Sequence, residues 1–227
     1  MTTNYRERVH YTLSHYKQRF NWDCGVSCTL MVLPPSKRNH FVNNFATVCR
    51  EEGFNRSTWT IDLCYLLHRY GVRHEYFTIT LGVHPGYYGH SFYDKIIKKD
   101  EDRINRRFSC ARSVGLQVSC ASISIQRIIE HLDTGGPIIL LTNSRQLRCD
   151  TCKINKLSAE LRQCLPWPPS YQGHYVVLCG YDAEFQRVFY RNPSMNDHVC
   201  SMSYSSLNEA RQSYGTDEDI IFIYSDV

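Results

Sequence analysis

Hydrophobic and polar positions change rhythm several times along this chain, and each change predicts an element. The run "CGVSCTLMVL", Cys24 to Leu33, follows Asp23 and stops at Pro34 and Pro35. Proline lacks the N–H that continues a helix, so one short helix is predicted, with Asp23 as its cap and Cys24 in its first turn. "NHFVNNFATVCREEG" predicts a second helix stopped by Gly53, and "TIDLCYLLHRYG" a third, starting near Ser57 and stopped by Gly71. In the third, Ile61, Leu63, Leu66 and Leu67 approximate one face. "VRHEYFTITLGV" alternates and is rich in aromatic and β-branched residues, which predicts a strand. "HPGYYGHSFYDKIIKKDEDRINRRFSCARSVG" predicts a loop and then a helix, solvated because the charges of "KKDEDRINRR" are mixed.

The second half turns to strands. "SIQRIIEHLDTGG" predicts a helix with a glycine stop, and "PIILLTN" a short apolar strand. "HYVVLCGYD", "RVFYRNP" and "DIIFIY" predict three more strands, with a helix at "SSLNEARQSYG" between the last two. Between these segments, residues 143–173 are polar, carry cysteines and contain "LPWPPSYQG", as expected of an irregular insertion. Helices first and antiparallel strands later predict an α+β fold, in which residues 1–227 form one domain bearing that insertion.

Composition narrows the function classes. The 26 basic and 22 acidic residues leave a formal net charge of +4, too small without a clustered patch to argue for nucleic acid or an anionic membrane. "MTTNYRERVHYTL" has no apolar signal-peptide core, and about 18 uninterrupted apolar residues occur nowhere, so a cytoplasmic or nuclear protein is expected. Eleven cysteines in a reducing compartment are expected to be thiols, metal ligands or catalytic groups.

The candidate chemistry starts at "QRFNWDCGVSC", residues 18–28. A helix N-terminus favours negative charge, and the thiolate is the nucleophilic form of cysteine. Cys24 is therefore expected to be the most alkylation-sensitive thiol. Cys28, one turn later among apolar neighbours, is expected in the core. A cysteine nucleophile needs a base, and the base needs a group to orient it. His174 opens the strand "HYVVLCG" just after the insertion, and Asn192 in "YRNPS" ends the next strand, so a hairpin would bring them together as in Cys-His-Asn sites. Gln18, six residues before Cys24, offers a side-chain N–H for an oxyanion beside the Cys24 backbone N–H. Trp22 either shields the thiolate or anchors the helix.

Gln18, "DCGVSC", "GHYVVLCGYD" and "YRNP" together resemble papain-like peptidases of the bacteriocin-processing type, which carry Gln, Asp-Cys-Gly, His-x-Val-Val and Asp-Pro. "NWDCGVSC", "STWTIDLCYLLHRYGVRHEYFTITLGV", "YQGHYVVLCGY" and "ARQSYGTDEDIIFIY" resemble the eukaryotic guanylyl cyclase domain-containing family over nearly the whole chain. The first resemblance implies a papain-like fold with N-terminal helices packed on a C-terminal antiparallel sheet. It also implies Cys24, His174 and Gln18 in peptidase-like roles, with Asn192 in place of the acidic residue. Thiol chemistry of this kind needs no cofactor, and its substrate would be a peptide, protein or isopeptide.

The second family's name implies cyclisation of GTP. The phosphate-cradling patterns GxxxxGK[ST] and GxGxxG are absent, and the carboxylates of "GTDED", residues 215–219, are expected to form a turn before a strand. Three function classes follow: a thiol hydrolase or acyl transferase, a guanylyl cyclase, and an inactive binding module.

The insertion holds a separate constellation. "CDTC", Cys149 to Cys152, has the CxxC spacing of a zinc knuckle, and Cys164 follows twelve residues on. Three ligands are not four. Cys179, Cys200 or His198 would complete a tetrahedral site if the fold returned one to the insertion; otherwise these are structural thiols or a redox pair.

Overall fold

The structure is a computed structural model that describes residues 5–54, 56–89, 93–152 and 171–225. Its elements are β1 (Arg8–His10), α1 (Cys24–Val32), α2 (Pro35–Asn43), α3 (Phe45–Glu51), α4 (Thr60–Arg69), β2 (His74–Thr78) and α5 (Asp94–Cys110). They continue with β3 (Val118–Cys120), α6 (Ile125–Thr134), β4 (Ile138–Asn143), β5 (Gly173–Asp182), β6 (Arg187–Arg191), β7 (Val199–Ser203), α7 (Tyr204–Arg211) and β8 (Ile220–Ile223). The strands make one sheet in the order β3-β2-β8-β4-β5-β6-β7, with β1 paired to the far end of β5. Among the described strands only β2 and β3 pair in parallel.

The central strands read as unbroken apolar runs because both faces of the sheet are covered. On one face Ile139, Val177 and Ile221 meet Met31 of α1 and Ile61 and Leu67 of α4. On the other, Leu140, Val176 and Phe222 meet Ile128 and Leu132 of α6 and Leu207 of α7. The α+β class is as the sequence predicts. The N-terminal helices α1 and α4 pack on the sheet as expected, and α6 and α7 form a further layer on its other face. Helix α1 carries no polar stripe for a related reason. It lies between the sheet and a third apolar cluster in which its Val26 and Leu30 pack against Phe41, Val48 and Leu66.

Several local expectations change. Pro35 does not merely end α1; it occupies the first turn of α2, where the missing N–H costs nothing. The helix expected from Asn39 to Gly53 is two helices broken at Asn44. Asp23 sits at the N-cap of α1, but its carboxylate turns back to accept from Arg19 N at 3.1 Å and Phe20 N at 3.0 Å, and makes no cap bond.

Helix α5 is not simply solvated. Asp100, Arg103, Ile104 and Arg107, at helical spacing, turn inward, and Arg107 reaches the fully buried Asp62 of α4 at 3.0 Å, with Arg103 bonded to the same carboxylate. Asp100 accepts from Ser57 and, at 3.1 Å, from the Trp59 indole N–H, which ties the stretch 57–59 to α5. No helix of the described residues is long and apolar enough to cross a membrane.

Candidate active site

The site forms where α1 begins against the start of β5. The Cys24 thiol is 7% exposed and packs against the backbone N–H of Tyr175, with the N–H groups of Gly25 and Cys24 itself also aimed at it. Those amides favour a thiolate. Burial acts against it more strongly, and the balance pushes the thiol up to about 11.

His174 directly precedes Tyr175 on β5, and its Nε2 lies 2.8 Å from Asn192 Oδ1, just past the end of β6. The same oxygen accepts from Ser194 N at 3.0 Å and from Ser194 Oγ at 2.8 Å. A backbone N–H can only donate, so the amide oxygen faces the histidine and Nε2 carries the proton. Nδ1 is thereby left with its lone pair, the form a general base needs. Burial lowers the His174 pKa, and the bond to Asn192 acts to raise it. Among the described residues no hydrogen bond joins Cys24 to His174, and burial disfavours the charged form of both.

Cys24 opens into a cavity of about 240 Å³ whose wall includes Trp22, Trp59, Tyr93, Tyr175, Arg56 and Asp219. Trp22 therefore borders the thiol's cavity, stacked on Phe20 at 5.8 Å. "GTDED" does form a turn before β8, but Asp217 and Asp219 reach the cavity wall, which the sequence pattern did not signal. Asp219 accepts from Tyr76 OH at 2.7 Å and from Thr60 Oγ1, and Thr60 Oγ1 lies 2.8 Å from Tyr175 OH. Burial and then the neighbouring Asp217 push Asp219 up to about 7. The only alternating signal that could have placed it was Tyr76, an inward position of β2.

Gln18 is close in the chain but differently engaged. Its Nε2 donates to Phe20 O at 2.8 Å, while its Oε1 is buried without a partner among the described residues. The Gln18 backbone N–H bonds Pro193 O at 2.9 Å, which ties this segment to the loop that carries Asn192.

The second constellation also gathers. The side chains of Cys149, Cys152, His198 and Cys200 approach one another, whereas Cys179 is not of that group and Cys164 lies outside the described residues.

The sequence profile of the family described as guanylylate cyclase matches residues 13–223. "Guanylyl cyclase 1" of Arabidopsis thaliana is 35% identical over 218 residues, which span 94% of this chain and 76% of that protein. Among solved structures, xylellain, a cysteine protease from Xylella fastidiosa, is 14% identical, with 99% of this chain and 88% of that one covered and a TM-score of 0.45. A Bacillus anthracis protein described as a C39-like peptidase is 20% identical over 46% of this chain and 48% of its own, with a TM-score of 0.31. With its profile matched almost from end to end, the chain belongs to the guanylylate cyclase family.

Proposed function

We propose that the protein is a papain-like thiol hydrolase or acyl transferase acting on a peptide or isopeptide. One observation carries this: an imidazole whose tautomer is set by the Asn192 amide stands next in the chain to the residue whose backbone touches the Cys24 thiol. In this reading a bound substrate brings the thiol onto His174, and Nδ1 takes its proton as sulfur attacks the carbonyl carbon. The oxyanion meets the backbone N–H groups at the start of α1. The imidazolium then gives the proton to the leaving amine as the C–N bond breaks, and water or an acceptor amine resolves the thioester. Gln18 would join the oxyanion site only after releasing Phe20 O.

The family description favours a second reading, guanylyl cyclase, and two carboxylates do line the cavity. They fit a divalent ion poorly. Asp219 is buried with its oxygens held by Tyr76 and Thr60, and Asp217 accepts from Thr80 Oγ1 at 3.0 Å.

The test treats the full chain with a peptide bearing a thiol-directed electrophile and, in parallel, with GTP and Mg²⁺ or Mn²⁺. The proposal expects an adduct on Cys24 by peptide mapping and amide or ester turnover that Cys24→Ala abolishes. Cyclic GMP formed equally by the wild type and Cys24→Ala would overturn it in favour of the cyclase. A folded protein without adduct, turnover or cyclic GMP would leave a binding module.

A further inference from the structure

Cys149 and Cys152 follow β4, whereas His198 and Cys200 lie at the start of β7, about 48 residues away in the chain. The fold nonetheless brings one ligand atom from each to within 4.8 Å of the others. Cys152 Sγ and Cys200 Sγ are 3.9 Å apart, and all four residues' thiols are free where they have one. Two thiolates held at about 2.3 Å from one tetrahedral zinc stand about 3.8 Å apart. His198 turns Nε2 to 3.3 Å from Thr151 Oγ1, which itself lies 3.1 Å from Cys149 Sγ, so the imidazole nitrogen faces the sulfurs.

We propose that Cys149, Cys152, His198 and Cys200 bind one zinc ion in a closed, structural Cys₃His site. Three thiolates and an imidazole are the donor set that selects zinc over magnesium or calcium. Packing alone gives little reason for this arrangement. Cys149 and Cys200 are buried, but Cys152 is half-buried and His198 is exposed, and an exposed histidine gains nothing from facing three sulfurs unless it binds something with them.

The surrounding bonds hold the ligands ready: Asp150 N donates to Ser201 O at 2.9 Å, and Tyr190 OH to Arg148 O at 2.7 Å. The ion would fasten the chain leaving β4 to the loop 192–198. That loop starts at Asn192, the partner of His174, and ends at a metal ligand. Of the residues that the sequence offered to complete Cys149 and Cys152, the fold brings His198 and Cys200 to them, and Cys164 lies outside the described residues.

The test is metal analysis by mass spectrometry of the full chain, purified without chelator, with Cys24→Ala as a control. We expect about one zinc per chain in both. We also expect its loss in Cys152→Ser and in His198→Ala, the latter an exposed change that should leave the fold intact. Reconstitution of the wild type with Co²⁺ should give thiolate-to-metal charge transfer and the visible bands of a tetrahedral ion, both absent in His198→Ala. Iron in place of zinc, a Cys152–Cys200 disulfide by mapping, a metal-free wild type, or zinc retained by both ligand variants would each overturn the proposal.

Discussion

Burial and a helix N-terminus act in opposite directions on Cys24, and its alkylation rate reports which prevails. With the thiol pushed up to about 11, the thiolate fraction at pH 7.5 is about 3 × 10⁻⁴, against about one in ten for an ordinary exposed thiol of pKa about 8.5. That is a deficit of roughly 300-fold. A more basic thiolate is a better nucleophile, and a Brønsted slope of about 0.4–0.5 over that difference returns roughly tenfold. Cys24 should therefore react with iodoacetamide roughly 15- to 30-fold more slowly than an ordinary thiol, before any steric slowing by the cavity wall.

The assay is brief labelling of the folded chain from pH 6 to pH 10, with peptide mapping of each cysteine. We expect the exposed Cys110 and Cys120 to label first, and the Cys24 rate to rise about tenfold per pH unit to the top of the range. His174→Ala should change the Cys24 rate by no more than a few-fold, since the resting imidazole does not hold the thiolate. Cys24 labelling first, at a rate flat from pH 6 to 9 and lost in His174→Ala, would refute this reasoning and restore the expectation drawn from the sequence.

Two further predictions concern the groups around that thiol. Asn192→Ala removes the acceptor of three hydrogen bonds and leaves Ser194 N–H and His174 without their partner. Turnover of a cleaved peptide should fall by about 10²–10⁴ with less effect on KM, and stability by about 1–3 kcal/mol in urea titration. Because the lost bond favoured the protonated ring, the acid limb of kcat/KM should move to lower pH; an unmoved limb would show that His174 does not set it. Asp219, pushed up to about 7, keeps a proton in the folded chain that the unfolded chain sheds above about pH 4. Stability should therefore fall as pH rises from about 4 to 7, and Asp219→Asn should flatten that slope in thermal melts at pH 5 and 8; equal slopes would count against it.

The fold was legible where a segment carries its own pattern. Gly71 and the leucines of α4, and the apolar runs of β4, β5 and β8, mark elements whose periodicity is local. The strands β1, β3 and β7 were not read, because three to five residues such as "VCSMS" become a strand only through a neighbour that supplies the ladder. Pairing of β1 also depends on Gly180, where the backbone stands at φ +153° and an added Cβ would lie 2.1 Å from Val9 O. The inward face of α5 was unreadable for a similar reason. Its Arg103 and Arg107 are covered because Asp62 waits on another helix, and no spacing within α5 encodes that partner.

At the site, residue types and element ends were visible, but the electrostatic sign was not. Cys24, His174 and Asn192 could be named as candidates because a cysteine at a helix start, and a histidine and an asparagine at neighbouring strand ends, follow from local order. The expected thiolate followed from a nearby imidazolium and from the helix terminus, the latter worth about 0.3–1 kcal/mol and at most about 2. Raising a thiol from 9 to about 11 corresponds to about 3 kcal/mol against the charged form, with the backbone N–H groups of Gly25 and Cys24 at the helix start already acting to lower it. Desolvation by the sheet, by α4 and by the cavity wall is tertiary and exceeds it. If Cys24 is the nucleophile proposed here, its activation belongs to the bound complex, in which a substrate closes the gap to His174 and the proton passes to an Nδ1 that Asn192 has kept free to receive it.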